Sequence, residues 1–162
     1  MRLVTALAAL ALVVGSSSSQ SQSAPPMNWQ RLSPPDGGFG IDMPCLAPEK
    51  VDASSGRHTF MCGQPIGVFA VTYTPSDISA QLLEKLPQAM ARQLGDRLLY
   101  DREGTFQGYP GRRFTLFDEA HQKFTSTIVV ATGSRVYMIQ FVSPQENAIT
   151  FDHFNETLWL AH

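Results

Sequence analysis

The side chains able to do chemistry in this chain are few and scattered. Its 162 residues include four histidines (His58, His121, His153 and His162), two cysteines (Cys45 and Cys62) and an adjacent arginine pair, Arg112-Arg113. A hydrolase needs a nucleophile and a base within hydrogen-bond reach, with a third group orienting the base. His121 falls in a polar connection, and His153 on the solvent face of the last predicted helix. No Gly-x-Ser-x-Gly elbow, His-Glu-x-x-His pair or phosphate-binding glycine loop occurs. The neighbouring carboxylates Asp118 and Glu119 read as a solvated tip. Asp152 and His153, adjacent on a helix, point apart. His58 four residues before Cys62 supplies too few ligands for zinc. These residues predict a non-enzyme with no metal and no cofactor. The alternatives are a small secreted hydrolase using His58 or His121, and a small-ligand module with an apolar pocket between helix and sheet.

The most distinctive string is Gly108-Tyr109-Pro110-Gly111-Arg112-Arg113-Phe114. Pro110-Gly111 suits the centre of a type II turn, because proline presets φ and glycine tolerates φ > 0. A strand follows, with Arg112, Phe114 and Leu116 alternating with Arg113, Thr115 and Phe117. Arg112, Arg113 and Tyr109 are the candidate binding residues, as an anion site beside exposed turn amides. Adjacent strand residues face opposite ways, which counts against both arginines gripping one anion. The plainer reading is a hairpin with two solvated arginines.

Residues 1–23 read as a signal peptide and cleavage region: Arg2, then an apolar run from Leu3 to Val14, then Gly15 and serines. That run is the length of a signal h-region and short for a bilayer span. Small residues permit cleavage at several positions, and an uncleaved anchor is the alternative. Residues 24–28 form a short linker, and 29–162 the domain. Export, to a periplasmic or extracellular space, places Cys45 and Cys62 where a disulfide persists. A bridge closing a loop of that size contributes about 3 kcal/mol in the chain-entropy model; two buried thiols are the other possibility. A formal charge of −2 without a basic run argues against nucleic acid, and no stable membrane span is expected after cleavage.

Along the domain, strands are predicted at 29–33, 39–43, 57–62, 67–74, 98–106, 112–117, 124–132 and 135–142, with residues 49–56 a loop tip. Ser76 is expected to cap a helix carrying Ile78, Leu82, Leu86, Met90 and Leu94 at i+4, with Leu83 widening the stripe, Pro87 kinking or splitting the helix and Gly95 ending it. On the strand from Leu98, Tyr100 and Arg102 are expected on the same face as Leu98. Gly133-Ser134 signals a two-residue hairpin. Ser143-Pro144-Gln145-Glu146 reads as a capping box opening a last helix with Phe151, Phe154 and Leu158 inward. Asn155-Glu156-Thr157 is a glycosylation sequon, read as chance on a core-facing helix.

Several of these stretches, in this order, resemble the Mog1/PsbP-like superfamily, and in particular its small exported bacterial members. They are the Trp29 strand, Phe39-Gly-Ile-Asp-Met-Pro44, Val71-Thr-Tyr73 before an amphipathic helix, Gly108 to Phe114, Arg135-Val-Tyr-Met-Ile-Gln-Phe141, and the final helix around Phe154. The resemblance implies an antiparallel β-sheet flanked by helices, an α/β/α sandwich of the α+β class. Strands interrupted by one helix and closed by another point to the same class. It also implies non-catalytic roles, although the partner-binding residues of the photosystem and nuclear-import members find no match here. The expected function is therefore an exported binding or accessory domain. Its partner is an unknown protein or small ligand, met through a sheet face or the 44–56 loop.

Overall fold

The computed structural model describes residues 27–76 and 78–161. The leader, its cleavage sites, the linker up to Pro26, Asp77 and His162 lie outside the described residues. The elements run β1 (Gln30–Leu32), β2 (Phe39–Met43), β3 (Glu49–Asp52), β4 (Arg57–Gln64), β5 (Gly67–Thr74), α1 (Ala80–Leu94), β6 (Arg97–Phe106), β7 (Tyr109–Asp118), β8 (Lys123–Ala131), β9 (Val136–Ser143), α2 (Ala148–Glu156) and β10 (Trp159–Leu160). Seven strands form one antiparallel sheet in the order β3-β4-β5-β9-β8-β7-β6, and β1-β2-β10 form a second, small sheet. Helix α1 covers one face of the large sheet; α2 and the small sheet cover the other. The architecture is the α+β sandwich expected.

The larger core lies under the small sheet. Phe39, Ile41 and Met43 of β2, Phe69 and Val71 of β5, Ile139 and Phe141 of β9, and Phe151 and Phe154 of α2 are all essentially without solvent exposure. Their period-two and period-three spacing puts each set on one face of its element. The rings interlock: Phe69 lies 4.5 Å from Phe141 and 5.2 Å, edge-on, from Phe154. Phe39 lies 5.9 Å from Tyr73 and 5.8 Å from Tyr137. The Tyr137 hydroxyl donates to the Gly37 carbonyl at 2.9 Å, so that polar tip is satisfied.

Under α1 the expected stripe holds at Ile78, Leu83, Leu86 and Met90, which pack against the sheet, and fails at Leu82 and Leu94. Leu83, Pro87 and Ala91 are buried against Phe114, Leu116 and Val129, while Leu82 and Leu94 are exposed. A strict i+4 repeat turns 400° per step and drifts about 40° each time, so the ends of a long stripe leave the contact face. The helix is not split at Pro87; the ring sits on the buried face, where its apolar contact offsets the lost hydrogen bond. The cap is Ser79 rather than Ser76, its hydroxyl accepting from the Leu82 N–H at 3.2 Å. Gly95, at φ 76°, ends the helix as expected.

Other departures have similar local causes. Residues 49–52 are not loop but edge strand β3, paired with β4 from Glu49↔Phe60 to Asp52↔Arg57. Polar residues are common on an edge strand, so the composition looked like a loop. Ser143 ends β9 buried, its hydroxyl donating to the Gln145 carbonyl, and the cap of α2 is Asn147, which accepts from the Thr150 N–H. Helix α2 stops at Glu156, and Trp159-Leu160 return to pair with Gly40 and Phe39. Trp159 lies over Gly40, where a Cβ would come within 2.7 Å of the indole nitrogen. A bulge between Leu98 and Tyr100 sends Leu98 to the α1 side and Tyr100 and Arg102 to the other. The turn in the distinctive string is Gln107-Gly108, with φ 50° and 85°, the signature of a type I′ hairpin. Pro110 and Gly111 belong to β7, and Pro110 lies beyond the last pair with β8, where its missing N–H costs no ladder bond.

Gly67 opens β5 at φ 151°, and a Cβ there would meet the Val142 carbonyl oxygen at 2.3 Å. Gly67→Ala is expected to destabilise the protein by about 2 kcal/mol or more in urea unfolding. Gly63→Ala, with open space around it, should change stability by no more than about 0.5 kcal/mol.

Candidate functional site: a hollow between the β6–β7 hairpin and α2

The two arginines of the distinctive string sit on opposite faces of β7. Arg112, on the α1 side, grips Asp101 with two hydrogen bonds, Nε to Oδ1 at 2.7 Å and Nη2 to Oδ2 at 2.9 Å. That bond pushes the Arg112 pKa further up. Arg113, on the α2 side, places Nη2 2.6 Å from Asp152 Oδ1, with its guanidinium carbon 5.2 Å from the centre of the Phe151 ring. Tyr109, at the start of β7, is half-buried against the larger core. Arg112 is thus separated from Arg113 and Tyr109 by the sheet, and each arginine already holds a carboxylate.

Beside Arg113 the sheet surface is hollow. Gly104 of β6 and Gly111 of β7 face each other in register, between the pair Arg102↔Arg113 and the pair Phe106↔Tyr109. On the next strand Ile128 lies opposite Arg113. Residues 102–106 of β6, 111–113 of β7 and Ile128 of β8, with Asn155 of α2, line a cavity of about 290 Å³. Two ties hold α2 and its exit across this surface. One is the Arg113–Asp152 ion pair. The other is Gln107, whose amide donates to the Leu158 carbonyl at 2.8 Å and whose carbonyl accepts from the Leu160 N–H at 3.0 Å. Asn155 lies between them in sequence, and its buried Oδ1 has no hydrogen-bond partner among the described residues. The glycine pair could be found only once the register was known; the sequence reading offered none of Arg102, Gly104 and Asn155 as a binding residue.

The three described histidines, His58, His121 and His153, do not converge. His58 Nδ1 lies 2.6 Å from Glu49 Oε1, and its ring stacks on Tyr73 at 4.4 Å. His121 Nδ1 lies 2.6 Å from Asp118 Oδ2 in the β7–β8 turn, a hydrogen bond that lowers the Asp118 pKa. His153 abuts the edge of Trp29 at 4.9 Å. Each is held as a structural contact at a different place. Among the described residues no three His, Cys, Asp or Glu side chains gather as a metal site would require.

A second feature is the β3 edge. Cys45 and Cys62 form a disulfide, with Cα atoms 5.8 Å apart, that pins the segment leading into β3 onto β4. Leu46 is 82% exposed, and Val51 and Met61 are exposed nearby in sequence on either side of the bridge. Asp52 closes the β3–β4 turn, accepting from the Ser54 hydroxyl and N–H and from the Ser55 hydroxyl.

No protein-family model matches the chain, and no curated protein sequence does. Among solved structures it is similar to cyanobacterial PsbP (CyanoP) from Synechocystis sp. PCC 6803. The likeness covers 91% of this chain and 98% of that one, with a TM-score of 0.62 and 12% identity. A protein from Bacteroides thetaiotaomicron VPI-5482 matches over 82% of this chain and 48% of its own length, with a TM-score of 0.51 and 13% identity. The fold is therefore PsbP-like; at these identities the fold is what the likeness establishes.

The serine hydrogen bonds, that of the Ser54 side chain first, lower the Asp52 pKa to about 2. A depressed carboxyl pKa stabilises the turn at pH values above the ordinary 3.8, and this is lost as pH falls through 2. An NMR titration should find the Asp52 midpoint near 2, and the double variant Ser54→Ala, Ser55→Ala should move it up toward the ordinary value.

Proposed function

We propose that this chain is an exported, non-enzymatic binding or accessory domain. The observation that carries the reading is the β3 edge: large apolar side chains exposed around a disulfide that pins them in place. An exposed apolar side chain on a fixed scaffold favours association, because little ordering entropy remains to be lost on binding. The leader-like N-terminal sequence and the disulfide both fit an oxidising compartment outside the cytoplasm. The PsbP-like fold is compatible with an accessory role. His58, His121 and His153 are each committed to a carboxylate or a ring, which supports binding over hydrolysis. Among the described residues no helix is long and apolar enough to cross a membrane.

The test is recovery of the tagged protein from its native envelope and medium, with intact masses taken before and after reduction and the native assembly weighed without denaturation. The expected result is a chain lacking about 20 N-terminal residues, a two-proton gain on reduction, and a complex that Leu46→Glu with Val51→Glu disperses. A full-length chain with free thiols, or a protein that is always alone and monomeric, overturns the reading.

A further inference from the structure

We propose that β6 is the seam of a homodimer: its free edge pairs antiparallel with β6 of a second copy, about a two-fold axis at Gly104. This goes beyond the binding-domain reading, because β6 and β3 are opposite edges of the large sheet.

The first argument is the backbone. Among the described residues no strand pairs with the outer side of β6, and residues 99–105 are exposed. The two-residue turn Gln107-Gly108 closes on a hydrogen-bonded pair, Phe106↔Tyr109. Bonded and non-bonded pairs alternate along an antiparallel ladder. Arg102 and Gly104 therefore bond inward to β7, while Asp101, Glu103 and Thr105 turn their N–H and C=O groups outward. Pro110 agrees with this phase: it lacks an N–H, and it stands opposite Thr105. The bulge between Leu98 and Tyr100 interrupts the edge at its start, which leaves residues 101–106 as regular strand open to pairing.

The second argument is charge. A closed pair needs a two-fold axis, so one residue must face its own copy. Like charges directly opposite one another are destabilising. Centring the pair on Asp101, Arg102 or Glu103 sets a charge against itself, and centring it on Tyr100 runs the ladder into the bulge. Centring it on Gly104 opposes no like charges. Each charged side chain then meets a neutral one: Asp101 the partner's Gln107, Arg102 the partner's Phe106, and Glu103 the partner's Thr105. Glutamate can accept from the threonine hydroxyl, and a guanidinium over a phenyl ring is attracted to its face. The run Asp101-Arg102-Glu103 is thus compatible with its own copy in this register, which selects a second copy as the occupant.

The third argument is Gly104. It does not adopt a positive φ, and a Cβ there would meet nothing within 4 Å. Neither backbone conformation nor packing within the chain calls for glycine. On the axis both chains do, because opposite residues of a non-hydrogen-bonded pair have Cα atoms only about 4.5 Å apart. Glycine in a strand marks places where another backbone approaches closely. On the α2 side the hollow of one copy then adjoins that of the other, each lined by Arg102 and Phe106.

The test is sedimentation of the purified protein as its concentration is raised, with amide hydrogen exchange on the same samples. The expected result is a monomer–dimer equilibrium in which the amides of Glu103 and Thr105 gain protection with concentration. Those of Arg102 and Gly104, already bonded to β7, should not change. Thr105→Pro removes an outward N–H and leaves the β7 ladder intact. It should raise the dimer Kd by about tenfold or more, since symmetry deletes the bond twice. Gly104→Lys, built into open space, should fold normally and remain monomeric. A wild-type protein that is monomeric at every concentration, or a dimer indifferent to both variants, overturns the pairing. So does a dimer dispersed only by Leu46→Glu with Val51→Glu, which would place the second copy at the β3 edge. A pure monomer that is recovered from its native source in a complex dispersed at the β3 edge overturns the pairing and leaves the accessory-domain reading standing.

Discussion

The structure depends on one contact: the aromatic layer between the large sheet and the elements that cross it. Phe69, Phe141 and Phe154 meet at one end, and Phe39, Tyr73 and Tyr137 at the other. Burying each such ring stabilises the fold by about 1.5–3 kcal/mol from transfer alone, more than any surface ion pair in the molecule provides. The small sheet has too few hydrogen bonds to stand by itself; β1 has three residues and β10 two. It exists because Phe39, Ile41 and Met43 are held by the core below, and β1 and β10 then pair with a strand already in place.

Polar contacts act afterwards, by fixing how the second layer lies. Thr157 is central to this: its Oγ1 accepts from the Asp42 N–H, and its carbonyl accepts from Arg31, which also pairs with Asp42 at 2.9 Å. Together with Gln107 and the Arg113–Asp152 pair, these bonds stretch the α2–β10 segment across the hairpin. The hollow arises because the segment is attached on both sides of a patch where two glycines leave the sheet bare. A cavity bounded by rigid elements costs a ligand little reorganisation. The β3 edge is stiffened differently, by a covalent bridge in place of packing.

The strands that bury one face were legible in the sequence because alternation is a strong signal; Phe39–Met43 and Gly67–Thr74 coincide with the predicted limits. The PsbP-like order of elements was legible as well. What was missed shares a cause: it depends on partners distant in the chain. Glu49–Asp52 and Trp159-Leu160 are strands only because β4 and β2 lie alongside. Ser143-x-x-Glu146 has the spacing of a cap, yet the serine is committed to ending β9. In the distinctive string, Pro-Gly pointed to one turn while Gln107-Gly108 formed another, since a type I′ turn matches the twist of the paired strands. Of the residues that line the hollow, Arg112 and Arg113 were the candidates visible beforehand. Gly104 gains its meaning from standing opposite Gly111, and Asn155 from its helix crossing above them.

Native-state hydrogen exchange bears most directly on the claim that the second layer and the sheet are one unit. Amides of Ile41, Phe154 and Leu160 are predicted to open with the same free energy and the same denaturant dependence as those of Phe69 and Ile139, which reports a single cooperative unfolding event. A lower-energy opening confined to α2 and β10 would contradict the account. It would mean that the aromatic layer does not hold the crossing segment in place, and that the hollow beneath it is not a preformed site.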